Sequence, residues 1–394
     1  MTQPVAMLVD DPTLARSPFG DDHPFRAERG AITRTLLEAT GALRPDDVAP
    51  VERLDERLLA AVHDADYLEA VVRAGRGEHV DDPRGFGLDT SDCPIVDGMH
   101  RVALRVADAS VSAAELVASG TALRALHLTG GMHHAHRARA SGFCLVNDLA
   151  LAIEHLTRRH GWRVAYLDLD AHHGDGVQAA FWERGDVLTL SMHQSGRTLF
   201  PGTGAEDEVG AGPGLGTSVN LPLDPFTDDA GALAAFDALV PDVVASFGPD
   251  VIVLQAGADA HWRDPLARLA LTGDGLDALF ARVIELSERW CGGRMVVTGG
   301  GGYDAWRSVP RAWARLWGRL ARRDLPDDLP AAWRALWAER LGATLPTTLA
   351  ERDRPALDPL VTERAASHAL AVARRVGQRF ALLARDADRT RPHG

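Results

Sequence analysis

Four short clusters of the 394-residue chain carry side chains able to do chemistry together: His133 and His134, the run Asp168, Asp170, His172 with Asp175 close behind, Asp259, and Tyr303. Asp168, Asp170 and His172 are spaced by two, so in an extended segment leaving a strand they fall on one side. Zinc takes imidazole nitrogen and carboxylate oxygen at about 2.0 to 2.2 Å, and a catalytic site uses three such ligands with a fourth position open to water. Asp170 and His172 supply two, and Asp259 in QAGAD is the best third. The same run could instead cap the next helix, because a carboxylate accepts the orphan amide hydrogens of a first turn. Taken alone the two readings weigh equally; polar clusters at other strand ends favour the metal.

His133 and His134 are adjacent, and from a loop both can reach one pocket. A histidine pair is usually structural. Here Asp168 and Asp175 are spare carboxylates, one for each imidazole, an arrangement that fixes a tautomer and raises basicity. The expected pairing is Asp168 with His133 and Asp175 with His134. Tyr303, one of three tyrosines, follows Gly299 to Gly302. A phosphate loop would need GxxxxGK[ST] or a GxGxxG opening a helix, and neither is present. Glycines permit close backbone approach and let a phenol donate to a developing oxyanion.

The elements that must hold these residues are legible around them. Short Val-, Ile- and Leu-rich runs (Ala6 to Asp10, Leu123 to Leu128, Val164 to Asp170, Val187 to His193, Val251 to Ala256, Met295 to Thr298) read as buried strands. Helical spacing marks 100–119, 147–160 and 273–290. Alternation of the two implies an α/β fold, a parallel sheet covered on both faces. In such sheets ligands bind outside the carboxyl ends of the strands. GGMHH, DAHHGDG, AGAD and GGGGYD each follow a strand, so four strand ends deliver His, Asp or Tyr to one rim.

Composition narrows the function. The chain is 46% apolar and 25% charged, ordinary for a globular protein, with net charge −13. All 42 basic residues are arginine, as a GC-rich genome would produce. The acidic balance lacks the footprint of a nucleic-acid binder and favours cationic partners. Cys93, Cys144 and Cys291 are odd in number without metal-site spacing, which argues for a reducing compartment. MTQPVAMLVDDP lacks the charged and apolar regions of a leader, and no uninterrupted apolar stretch of about 18 residues occurs, so a cytoplasmic location without membrane association is expected. Beyond about residue 320 several prolines break the chain into short helices and turns, giving a catalytic domain over 1–320 and a C-terminal helical extension over 321–394. From Val361 to Leu383 apolar residues recur at three- and four-residue steps, the stripe of a helix packed on the core or, alternatively, on a second subunit. The last nine or so residues are expected to fray.

GGMHHAHRARASGFCLVND, YLDLDAHHGDGVQAAF, SMHQSGRTLFPGTG, QAGADAHWRDPLARLALT and GGGGYD together resemble the zinc-dependent histone deacetylase family over about 15–315. HPF near residue 24, TSDCPIVDGMH and DDLPAAWRALW are most similar to its bacterial acetoin-utilisation branch. The resemblance implies a three-layer arginase/deacetylase-type fold and a lysine deacetylase. It implies zinc, with iron(II) as an alternative, on Asp170, His172 and Asp259, proton transfer by His133 and His134, and carbonyl polarisation by Tyr303. It further implies a tube around the lysine stem from Gly142, Phe143 and Phe200, with Leu271 at its entrance and Asp92 holding the substrate backbone. A structural potassium would use Asp168, Asp170, His172, Ser191 and Met192, and a second would involve Phe181. The tyrosine is not replaced by histidine and the second dyad acid is Asp175, not Asn, so the pattern is nearer class I. The implied partner is an acetylated protein, an acyl-CoA synthetase being one candidate, with the enzyme monomeric or homodimeric.

Three rivals remain at this stage. A dimanganese ureohydrolase shares the Asp-Ala-His run but needs a carboxylate two residues after the histidine, where Gly174 stands. A non-catalytic acetyl-lysine binder would keep the tube without Tyr303, His133 and His134. An acetylpolyamine or other small-amide deacetylase would carry a rim insertion, and none is evident.

Overall fold

A computed structural model of the chain describes residues 4–15, 19–20, 23–353 and 356–390, with side chains to residue 383. Among the described residues eight strands form one sheet: β1 (Ala6–Val9), β2 (Val48–Ala49), β3 (Arg124–His127), β4 (Val164–Asp168), β5 (Val187–Gln194), β6 (Ser218–Leu223), β7 (Val251–Gln255) and β8 (Met295–Thr298). Their order is β2-β1-β3-β8-β7-β4-β5-β6, and every neighbouring pair is parallel. All carboxyl ends therefore lie along one edge. In β7, Ile252 and Leu254 enter one apolar cluster while Val251 and Val253 enter another, which is why the strand reads as a continuous apolar run.

Helices cover both faces. The Ile252 side is packed by α1 (Glu28–Ala39), and by the later α7 (Asp229–Phe247), α8 (Gly273–Trp290), α9 (Ser308–Ala321), α10 (Ala331–Leu341) and α11 (Pro359–Thr390). The Val253 side is packed by α2 (Glu56–Val62), α4 (Met99–Ala118) and α5 (Asp148–His160). The remaining two are α3 (Ala65–Ala74), beneath the loops at the carboxyl edge, and the short α6 (Asp175–Ala180). Starts are set by local chemistry: Asn147 accepts the Ala150 N–H to begin α5, and Thr272 accepts those of Asp274 and Gly275 to begin α8.

All six expected strands form, but β4 ends at Asp168, so Asp170 and His172 leave it in a bend rather than in extended chain. Two strands were not anticipated. β2 has only two residues, and β6 carries Asn220 and Pro222, tolerated because β6 is an edge strand whose ladder is one-sided. Helix α7 is apolar on nearly every side and so shows no helical stripe. Among the described helices it is the one long and apolar enough to cross a membrane, yet here it packs against α8 and α11 and adds its side chains to the Ile252-side core.

The chain after residue 320 joins the same core. Trp333 Nε1 donates to the Ile32 carbonyl at 3.1 Å, and Trp337 Nε1 to Thr35 Oγ1 at 2.8 Å, fastening α10 to α1. The 361–383 stripe packs within the chain: Ala365, Ala369, Val372, Ala373 and Val376 are buried, with α11 lying on α7 and β6. Helix α11 is described to Thr390, and residues 391–394, the end of the stretch expected to fray, lie outside the described residues.

Ala369 is fully buried in the α7–α11 seam. Ala369→Glu would bury an unpaired carboxylate there and should lower stability by about 2 kcal/mol or more. Chemical denaturation measures it, and an unchanged midpoint would mean the seam is not formed as described.

Candidate active site

The carboxyl ends of β3, β4, β7 and β8 are neighbours in the sheet, and the loops leaving them bring His133 and His134, Asp168 to Asp175, Asp259, and Tyr303 to one place. The ligating atoms of Asp170, His172 and Asp259 all lie within 4.8 Å of one another, and all three residues are buried. His172 Nδ1 sits 2.9 Å from Asp259 Oδ2 and 3.1 Å from Asp170 Oδ1. The other oxygens are already occupied: Asp170 Oδ2 accepts from Gln255 Nε2 and the Gly301 N–H, both at 2.6 Å, and Asp259 Oδ1 from the Ala171 N–H at 2.8 Å.

Two like charges buried side by side repel. Burial and the adjacent Asp170 push Asp259 up to about 8. Burial opposes charge on His172, but hydrogen bonds and attraction from both aspartates carry it up to about 10. Two carboxylate oxygens and one imidazole nitrogen, aimed at a common point and short of positive charge, match in type and number the three protein ligands of a catalytic zinc site. The residues fit a divalent metal.

Two histidine–aspartate pairs stand beside this group. His133 Nδ1 donates to Asp168 Oδ2 at 2.8 Å, and the same oxygen accepts the Tyr166 hydroxyl at 2.5 Å. His134 Nδ1 donates to Asp175 Oδ1 at 2.7 Å, while His136 Nε2 lies 3.1 Å from Asp175 Oδ2. The two imidazoles, with centroids 4.0 Å apart, diverge electrically. Burial works against charge on His133, yet Asp168 and Asp170 prevail and raise it to about 9. Burial, with the neighbouring His133 charge, drives His134 down to about 3 despite Asp175. The surroundings thus favour the charged form of His133 and the neutral form of His134. Asp175 is engaged with His134 and His136, so it does not complete a second metal site of the ureohydrolase kind.

The Tyr303 ring packs edge-on to His172 (centroids 6.4 Å) and Phe143 (5.8 Å). Burial and the charges of Asp259 and Asp170 hold its phenol protonated well above the usual range, so it remains a hydrogen donor. The backbone leading to it must be glycine at Gly301, where a Cβ would stand 2.0 Å from Asp259 Oδ2. Arg29, fully buried in α1, donates to the carbonyls of Gly302 (2.6 Å) and Gly300 (2.5 Å), and Asp264 Oδ2 accepts the Tyr303 N–H at 2.8 Å.

Phe143 and Phe200 flank the approach. Phe200 packs on His134 (5.0 Å) and His172 (6.5 Å) and is 42% exposed, so it reaches the mouth. Gly142 is pressed between them, since a Cβ there would lie 2.5 Å from the His134 ring and 2.8 Å from Phe200. Phe143 holds a left-handed backbone, φ +68°, which strains a bulky residue and aims its ring at Tyr303. Asp92 is half-buried, its carbonyl 3.3 Å from Nε2 of His23, whose ring packs on Phe143. Leu271 requires a correction. It is 1% exposed, hydrogen-bonded through its backbone to Ala260 and Trp262, and part of the core. The exposed leucine of that loop is Leu266, at 37%, whose N–H donates to Asp264. Ser191 is the register partner of Asp168 on β5, with Met192 next to it, while Phe181 closes α6 and is buried in the Val253-side core.

Sequence reasoning missed several supports. Tyr166 and Gln255 had a signal: polar-tipped residues in otherwise aliphatic strands, Tyr166 two positions before Asp168. Asp148 accepts the N–H groups of Gly131 and Met132, fixing the turn into His133, and its place in a helical first turn hid that. Arg29 had no signal, since its target Gly302 lies 273 residues away.

Comparison with known proteins agrees with this geometry. The family described as histone deacetylase domain matches residues 23–320. The acetoin utilization protein AcuC of Bacillus subtilis (strain 168) is 44% identical over 313 residues, 79% of this chain and 81% of that protein. AcuC of Staphylococcus aureus (strain MSSA476) is 39% identical over 299 residues, 76% and 77% respectively. The crystal structure of an HDAC homolog complexed with SAHA superposes with a TM-score of 0.82 at 27% identity, covering 93% of this chain and 99% of that one, and an HDAC homolog from Aquifex aeolicus gives the same figures. The fold is thus of the arginase/deacetylase type, and the chain belongs to the histone deacetylase family, in its AcuC-like branch.

Proposed function

We propose that this deacetylase hydrolyses the amide of acetyl-lysine in protein segments, in the cytoplasm, using zinc or iron(II). The observation that carries the reading is the meeting of Asp170, His172 and Asp259 with two histidine–aspartate pairs and a buried phenol between two aromatic walls. A divalent metal on Asp170, His172 and Asp259 would polarise the acetyl carbonyl and acidify a water molecule. The chain's own groups do the rest. Phe143 and Phe200 line the aliphatic lysine stem and exclude solvent from it. Neutral His134, oriented by Asp175, takes a proton from the water whose oxygen forms the new bond to the carbonyl carbon. Tyr303 donates to the carbonyl oxygen as it gains charge. Cationic His133 favours that charge and, with His134, returns a proton to the lysine nitrogen as its bond to the acetyl carbon breaks, leaving acetate and a free amine.

Asp168, Asp170, His172, Ser191 and Met192 are our candidates for a potassium ion beside this group. The net charge of −13 supports a basic protein segment, held at the rim by Asp92, over nucleic acid. The relatives' names concern acetoin utilization, which favours a metabolic enzyme such as an acetylated acyl-CoA synthetase as partner.

Tyr303→Phe should fold, keep its metal and lose turnover by about 10²- to 10³-fold; near-normal turnover would remove the phenol from the mechanism. Asp170→Asn should remove one equivalent of metal and abolish activity, measured as metal content after gel filtration alongside turnover. Turnover should fall as pH rises through the His133 value, about 9 as set by Asp168 and Asp170 and lower beside a bound cation. Asp168→Asn should move that alkaline limb to lower pH, and an unmoved limb would exclude the imidazolium. Acetyl-lysine peptide and acetylpolyamine should be assayed side by side; faster polyamine turnover would overturn the protein-substrate reading.

A further inference from the structure

The chain carries a second convergent donor group, far from the one above. Helix α5 runs back from the carboxyl edge of the sheet, and β4 begins four residues after its last residue, His160. The end of α5 therefore lies at the opposite, amino edge of the strands. There Glu115 of α4 faces His155 and His160 of α5, and one ligating atom from each lies within 4.8 Å of the others. Both imidazoles present the same nitrogen to the same oxygen: His155 Nε2 is 2.6 Å and His160 Nε2 3.2 Å from Glu115 Oε2.

Zinc held at about 2.0 to 2.1 Å in tetrahedral geometry sets its ligand atoms about 3.3 Å apart. The His160 contact already has that spacing, the His155 contact has to open from 2.6 Å, and the two imidazoles, already within 4.8 Å of one another, have to settle at the same separation. Side-chain exposures of 39% for Glu115, 11% for His155 and 21% for His160 make the group half-buried, not a free surface cluster. It borders a groove of about 400 Å³ between α2 and the α4–α5 pair, which gives an ion entry and leaves room for a water as fourth ligand. The nearby charges leave Glu115 available. Glu154 is engaged by Arg158 and Arg184, and Arg159, 3.8 Å from Glu115, is 67% exposed and free to swing into solvent.

We propose that Glu115, His155 and His160 form a second metal site, taking zinc or another imidazole-preferring divalent ion such as cobalt or nickel rather than calcium or magnesium. The site clips the end of α5 to α4, tying two helices of one layer together at the edge remote from catalysis. Its contribution is to stability, not to turnover.

The test is metal stoichiometry on the full chain. Wild type, Glu115→Gln and the double variant His155→Gln with His160→Gln are dialysed against Zn2+, and separately against Co2+, and bound metal is counted by elemental analysis. Wild type should hold one equivalent more than either variant, and excess Zn2+ should raise its melting temperature more than theirs, with deacetylase turnover alike in all three. Glu115→Gln keeps the shape and a hydrogen-bond acceptor, so it guards against a folding defect in the double variant. Equal stoichiometry across the three proteins would overturn the proposal. Because the readout is a difference of one equivalent, it stands apart from whether Asp170, His172 and Asp259 hold a metal.

Discussion

Two carboxylates, Asp170 and Asp259, are buried against each other with one imidazole between them, and much of the surrounding architecture answers that burial. In a low-dielectric interior such a pair is tolerable only with positive charge and full hydrogen bonding. The parallel sheet supplies the setting: its strands all end on one edge, so residues from β4 and β7, adjacent in the sheet, leave it side by side. Gln255, Gly301 and Ala171 occupy the oxygens not aimed at the common point, which orients the remainder.

The same constraint explains the backbone of the glycine run. With Asp259 so close, no side chain fits at Gly301, and the bare loop must be held by something else. Arg29 does this by gripping the carbonyls on either side while stacking over Phe25 and Trp313. Burial of that guanidinium places a fixed positive charge behind Tyr303, partly balancing the aspartates in front of it. The deep polar centre is thus a balanced set of charges rather than a list of ligands.

What could be read from residues alone follows the range of the interaction. The three donors, the His–Asp pairings and six strands announce themselves locally, by spacing of two, by adjacency to aliphatic runs and by glycine punctuation. Strand β6 escaped notice because Pro222 and Asn220 are acceptable only at a sheet edge, a fact of topology. Helix α7 escaped because uniform apolarity has no period. Leu271 and Leu266 share one loop, and only the fold decides which of them turns outward. Arg29 belongs to the same class, since it acts across the whole length of the chain.

The placement of α11 has a bearing on how the polypeptide behaves outside catalysis. Strand β6 is an open border of the sheet, and unpaired borders invite strands from other molecules. Pro222 blunts that border and α11 lies across both it and α7, the most apolar of the described long helices. Because α11 follows every strand and every residue of the reaction centre in chain order, the element that shields this apolar border is made after them, so a nascent chain halted before Pro359 would be poised for self-association although every residue of its reaction centre had already been made.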